Sequence, residues 1–111
     1  MTAPTCRSVR SELRYRRAVL SHFACRWDHD EPDEPVLLYE EVDEARNEVR
    51  KVHEYRDGRI IRTDRISDLN DSLASEPLPP LDEIRGQPEF TVQPLTAAEF
   101  DAVWARATDA Q

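Results

Sequence analysis

Between Trp27 and Val42 the sequence WDHDEPDEPVLLYEEV places one imidazole, His29, among Asp30, Asp33 and Glu34, with Tyr39, Glu40 and Glu41 following closely. An imidazole with several carboxylate oxygens is a donor set for a divalent cation, and His53 or Glu48 would bring ligands from further along the chain. A neutral His29 beside a carboxylate is also a proton-transfer pair near pH 7, with Tyr39 or Arg50 to hold developing charge. Neither chemistry is completed. The spacing matches no ligand signature, no nucleophile stands in a recognisable setting, and two glycines in the chain leave no phosphate cradle. The plainer reading is a solvated acidic loop in which Asp30 or Asp33 accepts amide hydrogen bonds and His29 packs on Trp27 or caps the loop. No metal and no cofactor is therefore expected.

Those side chains need elements to hold them. Leu20 to Trp27 has the composition of a half-buried strand. Pro32 and Pro35 fix φ and push their predecessors out of the helical region, so residues 28–34 form a loop and Val36 to Glu41 a second strand. Asp43, Glu44 and Ala45 make a hairpin connection, and Glu48 to Arg56 meets Asp57-Gly58 before Arg59 to Arg62. Asp-Gly between β-prone runs predicts an antiparallel hairpin on a type I′ turn, with positive φ at both central residues. Val49, Val52 and Tyr55 stand three apart, which predicts a bulge or burial on both faces. Asp64 to Pro80 reads as a surface loop with one helical turn at Ile66, Leu69 and Leu73; Leu81 to Arg85 reads as a short turn closed by Gly86, and Phe90 and Val92 as an extended segment. At the C-terminus Thr96 and Glu99 have capping-box spacing, Leu95 and Phe100 occupy the staple positions, and Phe100, Val103, Trp104 and Ala107 form one apolar helical stripe. That stripe makes Trp104 a core residue before a ligand platform. The expected fold class is α+β: a small antiparallel sheet of about four strands with the C-terminal amphipathic helix packed on one face.

The chain has 111 residues, 39% hydrophobic and 34% charged, which suits one domain and excludes a membrane-spanning run. Residues 20–108 are expected to form that domain. Residues 1–19 carry Arg7, Arg10, Arg14, Arg16 and Arg17 against Glu12, a basic extension expected as a disordered arm or one short helix. The overall net charge of −8 therefore belongs to a more strongly acidic body. Such a body repels nucleic acid and favours a basic protein partner. Cys6 and Cys25 form no bridge framework and read as free thiols of a reducing cytosol. No secretory leader pattern opens the sequence, so a cytoplasmic location is expected.

The segments WDHDEPDEPVLLYEE, EVRKVHEYRDGR and EFDAVWARA, in that order, resemble a bacterial family of small acidic proteins known as a domain of unknown function. The resemblance spans roughly residues 22–107. It implies an α+β domain of a bacterial cytoplasmic protein and no particular activity. The matching positions include Trp27, His29, Asp30, Asp33, Glu34, Pro35, Tyr39, Glu48, Arg50, Lys51, Asp57 and Gly58. Asp28 and His53 depart from the pattern, and residues 1–19 lie outside it. Taken together, these features point to a binding module and away from catalysis: an acidic surface centred on the 28–34 loop and the 40–48 hairpin, possessing Glu40, Glu41 and Glu44, would engage a basic partner as immunity or antitoxin proteins do. The alternative is a small metal-dependent or acid–base enzyme built on His29, Asp30, Asp33 and Glu34.

Overall fold

The computed structural model describes residues 20–64, 73–74 and 76–109. Its centre is a meander of four antiparallel strands, β1 (Ser21–Trp27), β2 (Pro35–Val42), β3 (Glu48–Tyr55) and β4 (Ile60–Asp64). These are the four strands the alternation and turn signals predict. Two more join them: β5 (Phe90–Leu95) pairs antiparallel with the outer side of β1, and the two-residue β6 (Thr108–Asp109) pairs parallel with β4. The sheet is thus six-stranded, in the order β5-β1-β2-β3-β4-β6. The extended segment at Phe90 and Val92 is a full strand because β1 offers it an open edge, a non-local pairing that local pattern does not reveal.

Both hairpins use the same loop. In one, the Arg46 amide donates to Asp43 O (2.9 Å) and the Asp43 amide to Asn47 O (3.0 Å); in the other, the Gly58 amide donates to Tyr55 O (3.0 Å) and the Tyr55 amide to Arg59 O (2.8 Å). Each loop has three residues and closes on a left-handed residue, Arg46 (φ 70) or Gly58 (φ 99). This corrects the type I′ expectation: Asp57 keeps negative φ, and the geometry is a three-residue turn ended by a positive-φ bulge. A carboxylate orders each turn locally, Asp43 Oδ1 from the first position by accepting the Ala45 and Asn47 amides and Asp57 Oδ1 from within the loop by accepting the Arg59 amide. The spacing of Val49, Val52 and Tyr55 reflects a real irregularity: Glu41 pairs with Arg50 and Val42 with Glu48, which leaves Val49 over.

Each face of the sheet is covered. On one side lies α2 (Ala97–Arg106), with Phe100, Val103 and Ala107 packed on Val52 and flanked by Tyr39, Ile60 and Trp104. Its capping box is formed as expected, Thr96 Oγ1 accepting from the Glu99 amide (3.0 Å) and Glu99 Oε1 from the Thr96 amide (2.8 Å). Trp104 lies under two guanidiniums, Arg50 at 4.8 Å and Arg62 at 5.0 Å. On the other side, the expected short turn is a one-turn helix, α1 (Leu81–Arg85), which with Leu78 covers a core of Phe23, Cys25 and Val42. Of the helical turn expected at Ile66, Leu69 and Leu73, the first two residues lie outside the described residues, as does the basic extension 1–19, while Leu73 lies in a bend.

Candidate functional site

The 28–34 loop is pinned by its own histidine. His29 Nδ1 accepts the Glu31 amide (2.9 Å) and Nε2 donates to Pro35 O (2.8 Å), which defines the neutral Nε2–H tautomer. The ring also packs on Trp27, centroids 4.1 Å apart. From the next hairpin Arg56 Nη2 donates to His29 O (2.6 Å), and the Asp28 amide donates to Glu89 O (2.8 Å). The loop is therefore tied to β2, to the β3–β4 hairpin and to the residue ahead of β5. Its carboxylates do none of this tying. Asp28, Asp30, Glu31, Asp33 and Glu34 are all exposed, and Asp28 makes a loose surface pair with Arg26 at 3.4 Å, a type of contact that contributes little. With both ring nitrogens engaged, His29 has no free lone pair for a cation or a substrate proton. Among the described residues no group of three or more His, Cys, Asp or Glu is arranged to hold a metal ion.

The other expected acids are elsewhere. Glu40 and Glu41 are buried, 6% and 4% exposed, and point to opposite faces because neighbours on a strand alternate. Glu44 is exposed in the β2–β3 turn, at the opposite end of β2 from the loop, roughly 25 Å away at about 3.3 Å per residue. The sheet thus divides the expected acidic surface: the loop carboxylates and Glu44 sit at its two ends, and burial withdraws Glu40 and Glu41 from the surface.

Glu41 faces α2 with two of the other candidates. Its carboxylate takes Arg50 Nε at 2.6 Å and Arg50 Nη2 at 2.7 Å, and His22 Nε2 at 2.9 Å. Arg50 continues to Asp101 on α2 (3.0 Å). Burial alone would raise the Glu41 pKa, but the hydrogen bonds from Arg50 and His22 outweigh it and hold the carboxyl below its ordinary range. Tyr39, also on this face, donates to Glu54 Oε1 (3.4 Å), and burial followed by the Glu54 charge raises its pKa. Arg50 is a brace between sheet and helix, already neutralised on two sides.

Glu40 faces α1, in a groove of ≈ 610 Å³ that also takes in Trp27, Glu34, Glu48, Lys51 and His53. Burial, then the hydrogen bond and like charge of Glu48, push the Glu40 pKa well above its ordinary value, while Lys51 and Arg46 oppose the shift. Burial and then Lys51 lower His53 to about 4, so its imidazole is neutral at pH 7. Glu48 accepts the Ala74 amide (2.5 Å). Cys25, on the same face, is raised to about 11 by burial and then by Glu40, so it is a protonated core thiol. Sequence reasoning missed Glu40 with Glu48 as a buried pair. The available signal was parity: Glu40 shares its side of β2 with Leu38 and Val42, an apolar row.

Residues 21–109 match the family described as "Domain of unknown function (DUF6881)". The chain belongs to this family. The match begins at the first residue of β1 and ends at the last of β6, so among the described residues the domain of unknown function comprises the six-stranded sheet with its two helices. No curated protein and no solved structure matches the chain. No helix among the described residues is long and apolar enough to cross a membrane.

Proposed function

We propose that this DUF6881 domain is a protein-binding module that presents residues 28–34 as a preformed acidic recognition loop to a basic partner. One observation carries the reading: the loop is ordered by His29, Arg56 and backbone groups, while its five carboxylates are left exposed. A loop fixed before contact gives up little conformational entropy on binding. Concentrated charge of one sign accelerates encounter with an oppositely charged surface and rejects like-charged ones. An immunity or antitoxin role in a bacterial cytoplasm uses these properties, and the free buried thiol of Cys25 suits a reducing compartment. Catalysis at His29, the competing reading, would first have to break both of its ring hydrogen bonds.

The test is capture of partners from native lysate by the wild-type protein and by Asp30→Asn/Asp33→Asn/Glu34→Gln, followed by association kinetics with the purified partner. The expected partner is basic, is lost from the triple variant, and associates more slowly as salt rises. A partner held equally by both proteins, or kinetics indifferent to salt, would sink the reading.

A further inference from the structure

The two outer strands of the sheet are finished differently. β4 is met by β6, whereas β5 ends the other side and no described strand pairs with its outer edge. The register shows which groups that edge presents. The Asp28 amide donates to Glu89 O (2.8 Å), and the pairing continues in step through Arg26 with Thr91 and Ala24 with Gln93. In an antiparallel pair, residues that exchange hydrogen bonds alternate with residues that do not. Thr91, Gln93 and Leu95 therefore turn their backbone groups to β1, and Phe90, Val92 and Pro94 turn theirs outward.

Donors and acceptors on this edge are unequal. Pro94 has no N–H, and the Phe90 amide is engaged by Gln87 O (3.0 Å). What remains outward is the carbonyls of Phe90, Val92 and Pro94 and one amide, that of Val92. Two copies of the chain joined along β5 bring one such amide each and share at most two backbone hydrogen bonds. A strand of another protein forms four, three to the carbonyls and one from Val92. The edge thus disfavours its own copy and favours a foreign strand.

The side chains extend the match. FTVQPL holds no charge, so β5 lacks the charged residues that keep strands off an edge. Phe90 and Val92 are half-buried on the α1 face against the core of Phe23, Cys25 and Val42, while Thr91 and Gln93 are exposed on the opposite face. An added strand of alternating apolar and polar residues continues both faces. Antiparallel addition makes the straighter bonds. It runs in the direction of β1 and brings the C-terminal end of the added strand to the exposed Asp28, Asp30 and Glu89.

We propose that β5 takes up, by antiparallel strand addition, an extended segment of the basic partner in which alternating apolar and polar residues are followed by arginine or lysine. The proposal rests on the protein-binding reading and adds a backbone contact to the acidic loop.

The probe is a capped nonapeptide, three threonine-valine repeats followed by three arginines, titrated into the full chain and followed by amide NMR. It saturates, and its shifts centre on residues 90–95. The valines lie opposite Phe90, Val92 and Pro94 with their amides facing β5. N-methylation of the valines weakens binding by about tenfold or more, and N-methylation of the threonines, whose amides face away, leaves it nearly unchanged. Moving the arginines to the other end of the peptide weakens binding. Absence of saturation, equal effects of the two methylations, equal binding of the reversed peptide, or concentration-dependent shifts of residues 90–95 without peptide, the mark of a second copy, would each overturn the proposal. The two readings fail separately: binding weakened in Asp30→Asn/Asp33→Asn/Glu34→Gln but indifferent to valine methylation sinks the edge and leaves the loop, and the reverse pattern sinks the loop and leaves the edge.

Discussion

Glu40 and Glu41 are the same amino acid in consecutive positions, and the sheet gives them opposite electrostatics. Glu40 has a raised pKa from burial beside Glu48, whereas Glu41 has a lowered one because Arg50 and His22 outweigh its burial. The linkage signs differ accordingly. Glu40 supports the fold at acid pH, and that support is lost as pH climbs from its ordinary 4.5 through its higher folded value. Glu41 supports the fold above 4.5 and fails as pH falls through its lower folded value. His53 adds to the acid side, its support fading as pH falls from 6.5 to about 4. Urea unfolding from about pH 4 to about pH 8 should therefore show wild-type stability falling off at both ends. Glu40→Gln should keep the acid limb and lose the decline on the other side; an unchanged upper limb would show that Glu40 is not a proton holder. Arg50→Met is the matching test of the other face. It leaves Glu41 buried with His22 alone, and should cost about 3 kcal/mol in urea unfolding, the lower end for a buried pair that loses a partner, because the Arg50 side chain keeps 24% exposure. A loss below about 1 kcal/mol would class the contact with surface pairs.

At the scale of elements, local signals were legible and non-local ones were not. The α2 cap was readable because Thr96 and Glu99 settle it between themselves. Thr96→Ala should cost about 1 kcal/mol, while Phe100→Ala, at 0% exposure, should cost about 3–5 kcal/mol; thermal melts of the two would rank them. The hairpins were equally plain from Asp43 and Asp57-Gly58. Their turn type was not, because β3 ends at Tyr55 and leaves three loop residues where two were expected. Gly58→Ala should cost about 1–2 kcal/mol through its left-handed backbone, although a Cβ there meets nothing within 4 Å. Arg46 occupies the equivalent position in the other hairpin and bears that strain. In return its guanidinium donates to Pro79 O (2.7 Å) and its carbonyl accepts the Leu78 amide (2.7 Å), fastening the segment before α1 to the sheet. Of the candidate site, the exposed loop acids were legible as such. Glu40 was assigned to the surface from its charge, when its strand parity placed it inside.

For the whole molecule, one sheet serves two cores, Phe23, Cys25 and Val42 on one face and Val52, Phe100, Val103 and Ala107 on the other. The same strands carry both, so neither core outlasts the other. Trp27→Phe and Trp104→Phe variants each leave one tryptophan, Trp104 on the α2 face and Trp27 on the α1 face respectively. Their unfolding midpoints, corrected for each substitution by circular dichroism, should coincide with the far-ultraviolet transition; separated transitions would mean that a face melts alone. The outer side of β4 is met by β6 through Arg62 to Asp109 (2.8 Å) and Thr108 Oγ1 to Ile60 O (3.1 Å). Since β6 follows β4 only after α1, β5 and α2, a chain emerging from the ribosome completes β4 well before its clasp arrives. During that interval β4 offers bare amides and carbonyls to any neighbouring strand. The two residues of β6 thus act as a closing guard against aggregation, and the half-made chain is the stage at which a chaperone would matter most.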